Sequence, residues 1–175
     1  AAQGVIGQIY QSTNPSDIDR LIAVKQEIES NGKQFNDDGS VRTSRAGAIG
    51  IAQVMPATGP EAAKLAGLAW DPERFKSDAK YNAAIGRAYF VQKLKETGGD
   101  ELKAYAAYNA GLGGLQKGEA AAKAWNEKNP GNPRDWLSFM PAETQGYVAK
   151  ATRLLGAGAG APPRMSLFEA QTQAI

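Results

Sequence analysis

"ESNGKQF", Glu29 to Phe35, closes an apolar-periodic run and leads into a stretch rich in Asp, Gly and Ser, so its reading decides where the first helix ends. Leu21, Ile22, Val24 and Ile28 recur at helical spacing. Asn14, Pro15, Ser16 and Asp17 form an N-cap signal with proline in the first turn. The spacing therefore predicts a helix running to about Glu29, which stands seven residues after Ile22 and four after Lys25, on the border of the buried face. A carboxylate is disfavoured there, because the last helical turn presents unpaired carbonyls and the negative end of the dipole. Set against apolar residues, such a carboxyl keeps its proton above the ordinary carboxylate value of about 4.3. Two readings follow: an exposed helix-end glutamate, one of 18 acids, or a proton donor.

Outward from this point the chain alternates helical stretches with turns. Residues 30–50 are rich in Gly, Asn, Asp and Ser, with "DDGS" as a turn and segments such as "SVRTS" that can pair weakly as strands. Pro56 opens a helical stretch through Ala66, with Ala62, Ala63 and Ala66 suited to close packing, and "AGLAWDPERF" breaks it. A longer helix is expected from about Asp78 to Lys95, ended by "TGGD". Asp100 caps the next, "ELKAYAAYNAG", which Gly111 closes. Leu115 to Trp125 and Glu143 to Leu155 read as two more helices, joined through the irregular "NPGNPRDW". No repeat recurs along the chain.

Composition narrows the chemistry. The 175 residues and 42% hydrophobic content suit one domain with a core, and 20 Lys and Arg against 18 Asp and Glu leave a net charge of +2. No long basic run marks a nucleic-acid footprint. The chain has no Cys and no His, which removes thiol nucleophiles, imidazole bases and the usual zinc ligands and leaves carboxylates, Tyr, Ser, Lys and amides. No apolar run approaches a membrane span, and "AAQGVIGQIY" lacks the pattern of a signal peptide. A start at Ala1 without Met reads as a processed or trimmed product.

Four segments then stand in order: "ESNGKQF" at Glu29, "SRAGAIGIAQVMPAT" at Ser44–Thr58, "AYAAYNAGLGGL" at Ala104–Leu115 and "PAETQGYV" at Pro141–Val148. Together, over roughly Leu21 to Ala151, they make the chain resemble the catalytic domain of soluble-type lytic transglycosylases, a lysozyme-like family acting on peptidoglycan, and in particular its phage-associated branch. The resemblance implies a mainly α, lysozyme-like domain of the goose-type lysozyme and lytic transglycosylase kind, with a small irregular or short-β lobe after the first catalytic helix. It implies a domain over residues 14–155, preceded by an extension at 1–13 and followed by a flexible arm at 156–175, "GAGAGAPPR" onward.

The resemblance also implies roles. Glu29 matches the catalytic acid/base of the family, which protonates the oxygen between N-acetylmuramic acid and N-acetylglucosamine and then takes a proton from the muramic C6 hydroxyl, leaving a 1,6-anhydro sugar. Ser44 matches a serine near that carboxyl, although a turn-capping serine reads equally well. Gly47 and Gly50 allow tight turns beside the sugar or purely within the fold. Gln53 offers an amide to sugar groups, and Met55 an adaptable apolar wall or a core contact. Tyr108 and Asn109 match the A-Y-N-A-G motif, with the Tyr108 hydroxyl expected to hydrogen-bond the catalytic glutamate. Glu143 matches a cleft-lining glutamate, against a helix-start acid favoured by the dipole; Tyr147 and Val148 are expected to pack. Two departures stand out: Leu112 where a proline is common, expected to loosen the turn, and Asn31 where a second glycine or an aromatic is common.

No metal or organic cofactor is implied. The implied partners are peptidoglycan glycan strands, with no nucleic acid and no integral membrane segment, and with virion or other protein partners for a phage-borne chain acting at the bacterial wall or periplasm. Three competing functions are a muramidase using water, an endopeptidase cutting peptide cross-links, and a wall-binding component that keeps the fold without activity. The absent His and Cys argue against the common metal and thiol endopeptidases.

Overall fold

In the computed structural model, residues 15–157 are described. The expected extension at 1–13, the Asn14 cap and the arm beyond residue 157 lie outside them. The helices are α1 (Pro15–Ser30), α2 (Gly59–Leu65), α3 (Pro72–Ser77), α4 (Ala79–Glu96), α5 (Glu101–Ala110), α6 (Leu112–Lys128) and α7 (Ala142–Ala157), with a 3-10 turn at Leu137–Phe139. Asp71, Asp78 and Asp100 sit in extended backbone before α3, α4 and α5, and their carboxylates accept the first free N–H groups of each helix. That is why three helices start where acids stand in the sequence.

Several expected boundaries shift. The stretch after Pro56 begins its helix only at Gly59, because Thr58 and Gly59 first close turns onto Met55 and Pro56. "AGLAWDPERF" does break α2, but it also contains α3, a one-and-a-half-turn helix that short apolar periodicity could not reveal. The Leu115–Trp125 stretch is extended at both ends into α6. The turn before α6 is not looser: a single residue, Gly111 at φ 79°, separates α5 from α6, and Leu112 takes the first helical position where proline is equally at home.

α5 is the hub. Ala104 to Tyr108 are all buried, and the helix packs against α4, α6 and α7, a placement consistent with this unbroken apolar run at its centre. α1 lies on α7 and α4, and α2 and α3 lie on α4. Residues 31–58 form the irregular lobe. It contains three isolated antiparallel bridges, Phe35 with Val41, Thr43 with Ile49, and Ile49 with Val54, which match the expected weak pairing.

A lobe with so few backbone ladders needs other anchors, and two buried amides supply them. Asn82 of α4, fully buried, accepts from the Ala52 N–H at 2.9 Å and donates to the Ile49 and Phe75 carbonyls at 3.1 and 3.0 Å. Gln34 accepts from the Ile51 N–H at 2.8 Å and donates to the Lys76 carbonyl at 2.9 Å. Gly50, at φ 73°, passes directly beside both amides, where a side chain would collide with them, so this glycine serves the fold. Gly86 of α4 lets Ala52 seat against the helix in the same way. Replacing Asn82 by Leu strands the Ala52 N–H and the Ile49 carbonyl, while the Phe75 carbonyl keeps its bond from Gln34 at 3.3 Å. We expect it to cost about 2–4 kcal/mol in urea unfolding and to lower thermal stability accordingly.

Candidate active site

α1 ends in a way that presents Glu29. Ser30, buried, shares its one hydroxyl proton between the Ile51 carbonyl at 2.9 Å and the Gln26 carbonyl at 3.1 Å, tying the helix end to the lobe. Asn31 then turns the chain in left-handed backbone at φ 52°, a conformation asparagine tolerates, so the absent glycine leaves the turn intact. Glu29 is left half-buried, lining a cleft of about 410 Å³ between the lobe and the helical body. The cleft is lined by Glu29, Ser44, Ala46, Ala48, Gln53, Val54, Met55, Thr58, Tyr89, Tyr108, Asn109, Gly111 and Glu143. Glu29, Ser44, Gln53, Met55, Tyr108, Asn109 and Glu143 thus meet at one place, from α1, the lobe, α5 and α7, whereas Gly47 and Gly50 are not among the lining residues.

Their hydrogen bonds differ from expectation at one point. The Tyr108 hydroxyl does not hold Glu29. It donates its only proton to the Ala52 carbonyl at 2.6 Å and accepts from the Lys25 ammonium at 3.1 Å, which uses the hydroxyl fully. The donor to Glu29 is Tyr147 of α7, expected only to pack: its hydroxyl lies 2.7 Å from Glu29 Oε1. A signal was available, since Tyr147 follows Glu143 by four residues and so shares its helix face.

Other side chains are committed as follows. Ser44 accepts from the Ala48 N–H at 3.0 Å, so it does cap a turn while facing the cleft. Gln53, at φ 50°, donates its amide to the Gly50 and Arg42 carbonyls at 2.9 and 3.2 Å, so its NH₂ is engaged within the lobe. Asn109 accepts from the Thr144 hydroxyl at 2.8 Å, linking α5 to α7. Met55, 41% exposed, offers its side chain to the cleft and is not core. Glu143 stands exposed in the first turn of α7.

The electrostatics centre on Glu29. Burial pushes its carboxyl above the ordinary carboxylate value; the Tyr147 hydrogen bond and the positive charge of Lys25 pull it back, and the charge of Glu143 pushes it up again. Lys25, one turn earlier on α1, is fully buried. Burial lowers its ammonium to about 8, with the Glu29 charge opposing that fall. Burial and the Glu29 charge hold the Tyr108 and Tyr147 hydroxyls well above their usual value, so both remain protonated donors.

A helical body, a bridged loop lobe and a half-buried carboxyl between them define a lysozyme-like domain. The family model for the transglycosylase SLT domain matches residues 8–130, and the chain belongs to that family. Among solved structures, the chain is similar to an inactive mutant of the lytic transglycosylase Slt from Pseudomonas aeruginosa, at 22% identity and TM-score 0.63 over 86% of this chain and 23% of that one. It is also similar to the 70 kDa soluble lytic transglycosylase of Escherichia coli, at 23% identity and TM-score 0.64 over 86% of this chain and 24% of that one. A complex of a 70-kDa soluble lytic transglycosylase with bulgecin A matches at 24% identity and TM-score 0.61, over 93% and 26%. The chain therefore spans about a quarter of the length of these structures, and the likeness is one of fold. No helix among the described residues is long and apolar enough to cross a membrane.

Two outcomes follow from this geometry. Tyr147→Phe keeps the packing but removes a donor that favours the ionised carboxyl, so Glu29 should titrate at higher pH in a carboxyl-carbon NMR titration, with melting little changed. Tyr108→Phe instead strands the Ala52 carbonyl and the Lys25 ammonium, and should cost about 2 kcal/mol in thermal unfolding.

Proposed function

We propose that this chain cleaves the β-1,4 bond between N-acetylmuramic acid and N-acetylglucosamine in peptidoglycan, with Glu29 as acid and then base. The observation that carries this reading is the Glu29 carboxyl itself: half-buried in a cleft, raised in proton affinity by burial, and oriented by Tyr147 at 2.7 Å. Such a group is a proton donor at the pH where ordinary carboxyls are ionised. Membership of the transglycosylase SLT domain family supports the same chemistry.

In the first step Glu29 gives its proton to the glycosidic oxygen as the bond from that oxygen to the anomeric carbon breaks. The N-acetylglucosamine side leaves as an alcohol, and positive charge develops on the muramic ring. In the second step the muramic C6 hydroxyl bonds to the anomeric carbon and returns its proton to the Glu29 carboxylate. The product is a 1,6-anhydro ring, no water is consumed, and Glu29 ends as it began. Both steps use one carboxyl, which must therefore be neither too weak nor too strong an acid. Burial and Glu143 work in one direction here, and Tyr147 and Lys25 in the other.

Around that centre, Met55 and Tyr89 offer apolar and aromatic walls to sugar rings, while Asn109, Gln53, Ser44 and Glu143 offer polar edges. With the Gln53 NH₂ engaged in the lobe, its carbonyl oxygen is the end left for a sugar hydroxyl. The phage-branch motifs support a role in penetrating or lysing a host wall, as a virion-associated or lysis protein.

One observation favours a second reading. Glu143 is a further carboxylate in the cleft, close enough for its charge to raise Glu29, and a pair with one raised and one exposed carboxyl is also what a water-using muramidase employs. Mass spectrometry of digested purified peptidoglycan separates the two. Anhydro-muramic ends are expected, whereas reducing ends would assign the hydrolytic route, and new amino groups without glycan breaks would assign an endopeptidase. Glu29→Gln should fold and lose at least about 10²-fold in activity, the scale of general acid catalysis; wild-type clearing by that variant would end the assignment.

A further inference from the structure

We propose that Lys25 is a positioning residue: a buried ammonium, held on the Tyr108 hydroxyl one helical turn before Glu29, that biases the Glu29 carboxyl toward the ionised form needed in the second half of the reaction. The inference rests on the reading of Glu29 as acid and base.

The geometry is unusual for a lysine. Its side chain is 0% exposed, whereas lysine is almost never fully buried without a partner. No carboxylate lies within ion-pair distance of it among the described residues. Its Nζ donates to the Tyr108 hydroxyl at 3.1 Å and lies 4.6 Å from the centre of the same ring, a cation–π arrangement. Gly86 of α4 leaves room for it: a methyl there would come within 3.2 Å of Nζ.

Nothing in the fold requires the charge. The Tyr108 hydroxyl already donates to the Ala52 carbonyl, so removing the ammonium strands no polar group. An apolar residue of similar length would fill the space without the desolvation cost of a buried ion. What the charge does reach is Glu29, four residues on along the same face of α1. The other charged and titratable groups around that carboxyl are Tyr147 and Glu143 on α7 and Tyr108 on α5, with Tyr89 on α4 behind Tyr108. Tyr147 and Tyr108 stay neutral and Glu143 is negative, so Lys25 supplies the cationic influence on Glu29. Arg87 on α4 is directed elsewhere, to Asp19 at 2.6 Å.

A carboxyl that must first give and then take a proton needs opposing influences. Burial alone favours the acid form, which speeds protonation of the leaving oxygen but resists regeneration of the carboxylate base. The buried ammonium offsets this from outside the cleft lining. Its own loss of charge near pH 8 removes that influence in alkaline solution.

The sign of the stability effect can be stated. Lys25 titrates lower in the folded chain than in the unfolded one, so between about 8 and 10.5 the unfolded chain holds the proton that the folded chain has released. Stability rises with pH across that window, and the full cost of the buried charge is felt below it. Lys25→Met should therefore melt higher than wild type at pH 7, with the difference shrinking toward pH 10.5.

The test uses the full chain and two readouts. Carboxyl-carbon NMR follows Glu29, identified as the resonance missing from Glu29→Gln, and initial rates on purified peptidoglycan are taken across pH. In Lys25→Met we expect Glu29 to titrate at higher pH, and the high-pH limb of kcat/KM to move the same way. Activity on the falling limb, relative to the plateau at lower pH, should rise about tenfold for each unit of displacement. Because the chain has no other cysteine, Lys25→Cys can be aminoethylated while unfolded and refolded, restoring the cation and returning both readouts toward wild type. An unmoved Glu29 titration overturns the proposal, as does a uniform fall in rate with an unshifted limb, or a Lys25→Met variant that melts lower than wild type. The NMR titration needs no turnover, so loss of the anhydro-product reading would leave the Lys25 to Glu29 coupling separately tested.

Discussion

The attachment of the lobe to the helices is the constraint on which the site depends. Residues 31–58 have only isolated bridges to hold them in shape, and the side-chain amides of Asn82 and Gln34 supply what backbone ladders would otherwise provide. Both amides sit where glycine or alanine lets the chain come close, Gly50 beside the two amides and Gly86 against Ala52. With the lobe in register, the Ile51 carbonyl accepts from Ser30 and the Ala52 carbonyl from Tyr108. The end of α1, the middle of α5 and the cleft wall are therefore positioned by the same few buried polar groups. Buried polar groups are costly when unpaired, so such a network admits essentially one arrangement.

Within that frame the Glu29 environment is a balance of opposed terms. Desolvation and Glu143 favour the neutral acid, while Tyr147 and Lys25 favour the carboxylate. The side-chain contributions come from two helices, Lys25 from α1 beside Glu29 and the other two from α7. Tyr147 and Glu143 share one face of α7, so the same helix delivers one influence of each sign. The solved lytic transglycosylases with a similar fold are about four times longer than this chain.

The helices were legible because their signals are local. Aspartates at 71, 78 and 100 cap α3, α4 and α5 through their own side chains, although for α3 the periodicity was too short to mark the helix that Asp71 begins. Glu29 was conspicuous because a carboxylate at a helix end conflicts with the dipole, and such local conflicts collect at functional sites. Gln53, Met55, Tyr108, Asn109 and Glu143 were named from motif order and do meet Glu29 in one cleft.

What the sequence by itself determined is therefore most of the helical segments, the starts of α4 and α5 where an aspartate caps them, and which glutamate is out of place, since propensity, capping and periodicity act over a few residues. Which tyrosine reaches that glutamate was decided by tertiary structure. A hydroxyl has one proton, and only the packing of α5 against the lobe reveals that Tyr108 gives its proton to Ala52, leaving Glu29 to Tyr147, 118 residues away in the chain. The buried state of Lys25 was decided in the same way, because desolvation is a property of everything that surrounds a side chain, and its neighbours include Tyr108 of α5 and Gly86 of α4, both distant in the chain.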